Sequence, residues 1–118
     1  MIYRNSAADE TVVAITSVKN IVRSIKIRQH KTDAPVLYLQ MFNNASPTLG
    51  VTKPNKVVEI PAGIPNQAAY VTEGINGNFG GKYFTTALAI AVATTPDGAT
   101  APDAGDEPEV VIDYQALA

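Results

Sequence analysis

At 118 residues the chain reads as one domain, long enough to bury roughly two thirds of its unfolded surface. A net charge of −2 gives no bulk-charge case for binding nucleic acid or a membrane surface. Cysteine is absent, which excludes disulfides and thiolate metal sites. Only 17% of residues are charged while 46% are apolar, against a usual charged share of ~25%. That balance points to a surface covered by other molecules, in an oligomer or a larger assembly.

Residues 1–10 have no periodicity and read as an arm, either frayed or laid across a neighbour with Ile2 and Tyr3 as its anchors. They lack the apolar core of a signal peptide, and no stretch approaches the ~18 apolar residues of a membrane span. The expectation is therefore a soluble chain made in the cytoplasm. Residues 11–118 form the domain proper. β-branched residues predict a first strand over 11–18, and 20–29 a second, with Ile21, Ile25 and Ile27 facing in and Val22, Ser24, Lys26 and Arg28 facing out. A third strand, opened by Pro35, turns Leu37, Leu39 and Met41 inward. Its other face carries Tyr38, Gln40 and Phe42, which suggests that this face too is partly covered.

A loop rich in Asn, Pro, Ser and Gly follows at 43–55, then short strands at 56–61 and 66–73. The turn 74–81 holds four glycines in eight residues. The stretch 80–95, GGKYFTTALAIAVATT, predicts the longest strand, with two unlike faces. Phe84, Thr86, Leu88, Ile90 and Val92 make a bulky face for the core. Ala87, Ala89 and Ala91 make a methyl face that allows close approach of another strand or subunit. A flexible acidic loop, 96–107, precedes a last strand with Val110, Ile112 and Tyr114 on one side. About seven strands divided by Gly/Pro turns, with no helical segment, predict an all-β fold. The form expected is an antiparallel β-sandwich with an extended N-terminal arm, a jelly roll being one variant of it.

No catalytic signature is present, and the chain is read as no enzyme. His30 is the single histidine and has no second His or Cys with which to complete a site. The glycines of 74–81 lack the following helix and Lys-Ser/Thr pair of a phosphate loop. Asp97, Asp103, Asp106, Glu107 and Glu109 follow no calcium-loop spacing, so no metal and no cofactor is expected, and a solvated loop is the reading. Charge is uneven: Lys19, Arg23, Lys26, Arg28 and Lys31 cluster, whereas no basic residue follows Lys82. These are either two solvated faces or complementary surfaces for association, with Lys26 and Arg28 as the basic stripe.

Three stretches, VRSIKIRQ leading into LYLQMFNN, VVEIPAGIP, and GGKYFTTALAIAVATTPDGAT, give the chain a resemblance to small virion structural proteins of tailed bacteriophages. It covers about residues 20–98. The resemblance implies a β-sandwich on a capsid or tail, of the cement, decoration or head-fibre type, without catalytic residues. Its implied partner is the major capsid protein or another virion protein, its implied state a homo-oligomer with a trimer favoured, and its implied location the virion, with no nucleic acid or membrane bound. The alternative is a receptor- or carbohydrate-binding sandwich on a tail or fibre, for which Phe79, flanked by Asn76 and Asn78, is the candidate contact.

Overall fold

The apolar–polar alternation in the sequence becomes strand through most of the chain. The computed structural model describes residues 1–29, 35–62, 69–74 and 82–117, with the backbone alone for 69–74. Among these it holds β1 (Ile2–Asn5), β2 (Val13–Thr16), β3 (Asn20–Gln29), β4 (Leu37–Phe42), β5 (Lys56–Ile60), β6 (Ala69–Gly74), β7 (Lys82–Phe84), β8 (Leu88–Ala93) and β9 (Glu109–Ala116), and no helix. One sheet runs β1-β9-β3-β6, with β7 also on β3, and the other runs β2-β8-β4-β5. β6 lies along the Ser24–Gln29 part of β3 and β7 along Asn20–Val22. They share one edge end to end, so each sheet is four strands wide.

Every pairing is antiparallel. Counting β6 and β7 as one interrupted strand, the first strand pairs with the last, the second with the seventh, the third with the sixth, and the fourth with the fifth. That is one long hairpin rolled up on itself, the order of a jelly roll. Between the sheets lies one apolar core, in which Val22, Ile25, Ile27, Val110 and Ile112 face Leu37, Leu39, Met41, Val58, Ile60, Leu88, Ile90 and Val92.

Four expectations are corrected. The arm is a strand. Ile2 to Asn5 pair with Asp113 to Val110, the Met1 ammonium donates to Tyr114 O at 2.7 Å, and Ala8 is buried in the core. The free edge of β9 offers an unsatisfied row of backbone groups, and the first residues complete it. The long strand 80–95 is two strands in different sheets. Thr86 N and Ala87 N donate to Asn43 Oδ1 at 2.8 and 3.2 Å, and Asn43 Nδ2 donates to Thr85 Oγ1 at 2.8 Å. One side chain thus takes over hydrogen bonds that a continuous ladder would have made.

In β3 Val22, expected to face out, belongs to the core, and Ile21 beside it is buried as well. The pairing with β9 slips between Val22 and Ser24, a bulge that turns the strand over by one residue. Finally, the loop 96–107 is folded. Thr94 N donates to Thr100 O at 3.0 Å and Asp106 N to Asp103 O at 3.0 Å. Gln29 Nε2 reaches Asp106 O at 2.9 Å, and Gly105 turns the chain at φ +89°.

The alanine face is covered by this chain itself. Ala87, Ala89, Ala91 and Ala93 are all buried, as are Gln40 and Phe42 on the neighbouring strand. Gln40 Nε2 donates to Thr95 O and Gly98 O at 3.1 and 3.0 Å, which holds the loop after β8 over that face. Gly50, from the loop after β4, meets Ala99 there, where a Cβ on Gly50 would come within 3.1 Å of Ala99 Cβ. The residues offered by the sequence as a contact for another subunit, Ala87, Ala89 and Ala91, are therefore interior.

Ala89→Leu is expected to overpack this layer and lower the stability of the isolated chain by about 1–3 kcal/mol. Urea denaturation measures it, and an unchanged midpoint would mean that the face has room. Asn43→Ala is expected to cost roughly 1–3 kcal/mol, because it leaves the Thr86 and Ala87 amides without their acceptor; the same titration reads it.

Candidate functional site

On the outer face of the first sheet the side chains alternate with those of the core. Arg4 lies opposite Val111, and Val111 opposite Lys26, so these three form one row across β1, β9 and β3. In the next outward rows Arg28 faces Glu109 and Ile2 faces Asp113. Ile2, Arg4, Lys26, Arg28, Glu109 and Val111 surround a shallow depression of 390 Å³. Val111 is its floor, the three cations stand around it, and Ile2, 63% exposed, forms an apolar rim.

Arg4 and Glu109 approach to 3.6 Å, and the Met1 ammonium lies 3.9 Å from Asp113. Both pairs are open to solvent, where such pairs contribute little. Among the described residues Lys26 and Arg28 make no ion pair. The acidic stretch of the sequence is thus divided. Glu109 and Asp113 sit on the same face as the basic stripe, which temper its charge without cancelling it.

A second depression, of 470 Å³, lies on the other side of the sandwich. Gly50, Val51, Thr52, Lys53, Pro54, Val57, Pro96 and Asp97 line it, where the loops after β4 and β8 meet outside the second sheet. Val51 is 81% exposed, the largest exposure among the large apolar side chains described. Val51, next to exposed Val57 and two prolines, makes an exposed apolar patch.

Of the residues singled out from sequence, Ile2, Lys26 and Arg28 come together. Tyr3 does not join them, since it alternates to the other face and packs on the core. Ala87, Ala89 and Ala91 lie in the opposite sheet, buried. Phe79, like His30, is outside the described residues. The reading missed Arg4, Val111 and the Val51 loop. Arg4 shares its parity with Ile2 and Val111 with Glu109, but only strand pairing sets them in a row with Lys26. Among the described residues no group of three His, Asp or Glu side chains is placed to hold a metal, and no helix is long and apolar enough to cross a membrane. Comparison with protein-family models, with curated proteins and with solved structures finds no match.

The division of Ile2 from Tyr3 has a direct consequence. Tyr3→Ala is expected to lower stability by roughly 1–3 kcal/mol through lost core packing, and Ile2→Ala to change it by less than about 0.5 kcal/mol. Thermal melts of the two variants check it, and equal losses would mean that the alternation of β1 is wrong.

Proposed function

We propose that this chain is a structural virion protein of a tailed bacteriophage, a capsid cement or decoration protein that binds major-capsid subunits and stabilises the particle. The observation that carries the reading is the placement of two exposed patches on opposite outer sides of one compact sandwich. The basic face around Val111 lies outside the first sheet, and the apolar loop patch around Val51 outside the second. A domain of this form can touch two neighbours at once, as a clamp must. The resemblance over residues 20–98 supplies the virion setting. The apolar patch is the side assigned to the capsid, because burial of Val51, Val57 and Pro96 provides affinity that solvated charges do not.

A receptor- or carbohydrate-binding module is the second reading, favoured by Thr52, Lys53 and Asp97 in the same depression as Val51. Jelly rolls serve both viral capsids and lectins, so the fold is common to the two readings and the patch distinguishes them.

Co-sedimentation of the purified chain with particles lacking it is the test. Saturable binding is expected, with Val51→Asp plus Val57→Asp weakening it by roughly tenfold or more, as loss of a buried apolar anchor does. Absence of binding to particles, with binding on a glycan array that Asp97→Ala abolishes, would overturn the capsid reading in favour of the second.

A further inference from the structure

We propose that the outer face of the β1-β9-β3 sheet is a docking surface for the acidic end of a second copy of this chain. The face carries Lys26 and Arg28, which make no ion pair among the described residues, with Arg4 and the exposed Ile2 beside them. The same chain holds the opposite surplus elsewhere. Ala8 N donates to Pro108 O at 2.9 Å, which brings the segment with Asp9 and Glu10 against the segment with Asp103 and Glu107. Asp103 is exposed and the other three are half-exposed. None of the four makes an ion pair among the described residues.

Among the described residues the two sets make no ion pair with each other within one copy. The cations stand on the outside of a sheet, and the carboxylates stand at the end of the sandwich where β9 begins. Each is complementary to the other in charge, and a net charge of only −2 leaves little general repulsion between copies. Nucleic acid fits this face less well. Glu109 and Asp113 sit among the cations and would meet a continuous phosphate backbone with like charge. Discrete carboxylates on a folded partner can reach Lys26 and Arg28 while Ile2 and Val111 lose water. Because each copy contributes one patch of each kind, the contact is head-to-tail, and it forms a ring where the rotation between copies closes and an open chain where it does not. The proposal is independent of the particle reading, since it concerns the free chain.

Sedimentation velocity of the full-length chain, without particles, tests it in about 50 mM and about 500 mM salt, between which the Debye length shrinks severalfold. The wild type is expected to self-associate more tightly in low salt. Lys26→Glu with Arg28→Glu should weaken association roughly tenfold, as should Glu10→Lys with Asp103→Lys, several solvated pairs being lost in each. The fourfold variant, with both ends reversed, should recover to within about threefold of the wild type at low salt, because the pairs re-form with exchanged signs. Circular dichroism melts keep folding separate from association. A wild type that stays monomeric would overturn the proposal, as would either double variant associating like the wild type, or a folded fourfold variant that does not recover. Binding of a short DNA duplex that Lys26→Glu with Arg28→Glu abolishes, without change in self-association, would assign the face to nucleic acid and overturn it equally.

Discussion

β8 is buried on both sides along its whole length, and most of the architecture answers that requirement. A strand of this kind has to be central in its sheet, and β8 lies between β2 and β4. Its large residues, Leu88, Ile90 and Val92, fill the core between the sheets. Its alanines face away from that core, where a two-layer fold has no third sheet to cover them. The loops after β4 and β8 supply the missing layer, tied down by Gln40 through the Thr95 and Gly98 carbonyls. Methyl side chains let a loop backbone approach this closely, which larger residues would prevent. The same folding-over sets Val51 and Asp97 side by side on the outer surface, so the candidate contact patch is a by-product of covering β8.

Where the chain passes between sheets, single side chains and single hydrogen bonds decide the path. Asn43 gathers the amides of Thr86 and Ala87 at the step from β7 to β8. On the opposite side of the molecule, Ala8 N bonds Pro108 O in one sheet's approach and Val92 N bonds Asp9 O in the other's. Such steps have no periodicity to announce them. The stretch 80–95 alternates without interruption in the sequence, and the break at Thr85-Thr86 depends on an acceptor 43 residues away from Thr86. Strand interiors behaved differently. Leu37, Leu39 and Met41, or Val110 and Ile112, reach the core as their alternation requires, because a face buried by the whole fold leaves a local signature. The bulge in β3 was legible in principle. Val22-Arg23-Ser24-Ile25 places two polar residues in a row between core positions, a phase slip that a strict alternation overlooks.

The surface was legible only in part, and for the same reason. Lys26 and Arg28 advertise a basic stripe by spacing alone, but Arg4 and Val111 join it through pairing with β9, which connects the two ends of the chain. The stretch 96–107 reads from its sequence as a single flexible loop. It is instead folded, with a turn at Gly105 and a buried Asp106 whose carbonyl receives Gln29, while Glu109 and Asp113 of the strand after it join the basic face. Rolling one long hairpin brings distant residues together in nested pairs, so chain neighbours share little of their final surroundings. A sandwich built this way offers a sheet face on one side and a loop patch on the other, each made from sequence segments far apart. That division of surfaces is what the cement reading uses.

Hydrogen exchange of the dilute, isolated chain tests the requirement on β8 most directly. If its own loops cover the alanine face, the amides of residues 89–93 exchange among the slowest in the molecule, at a rate independent of protein concentration, because buried central strands open only with the whole fold. Fast exchange in β8 at low concentration, with protection appearing only as copies associate, would contradict it and return the alanine face to the role of a subunit contact.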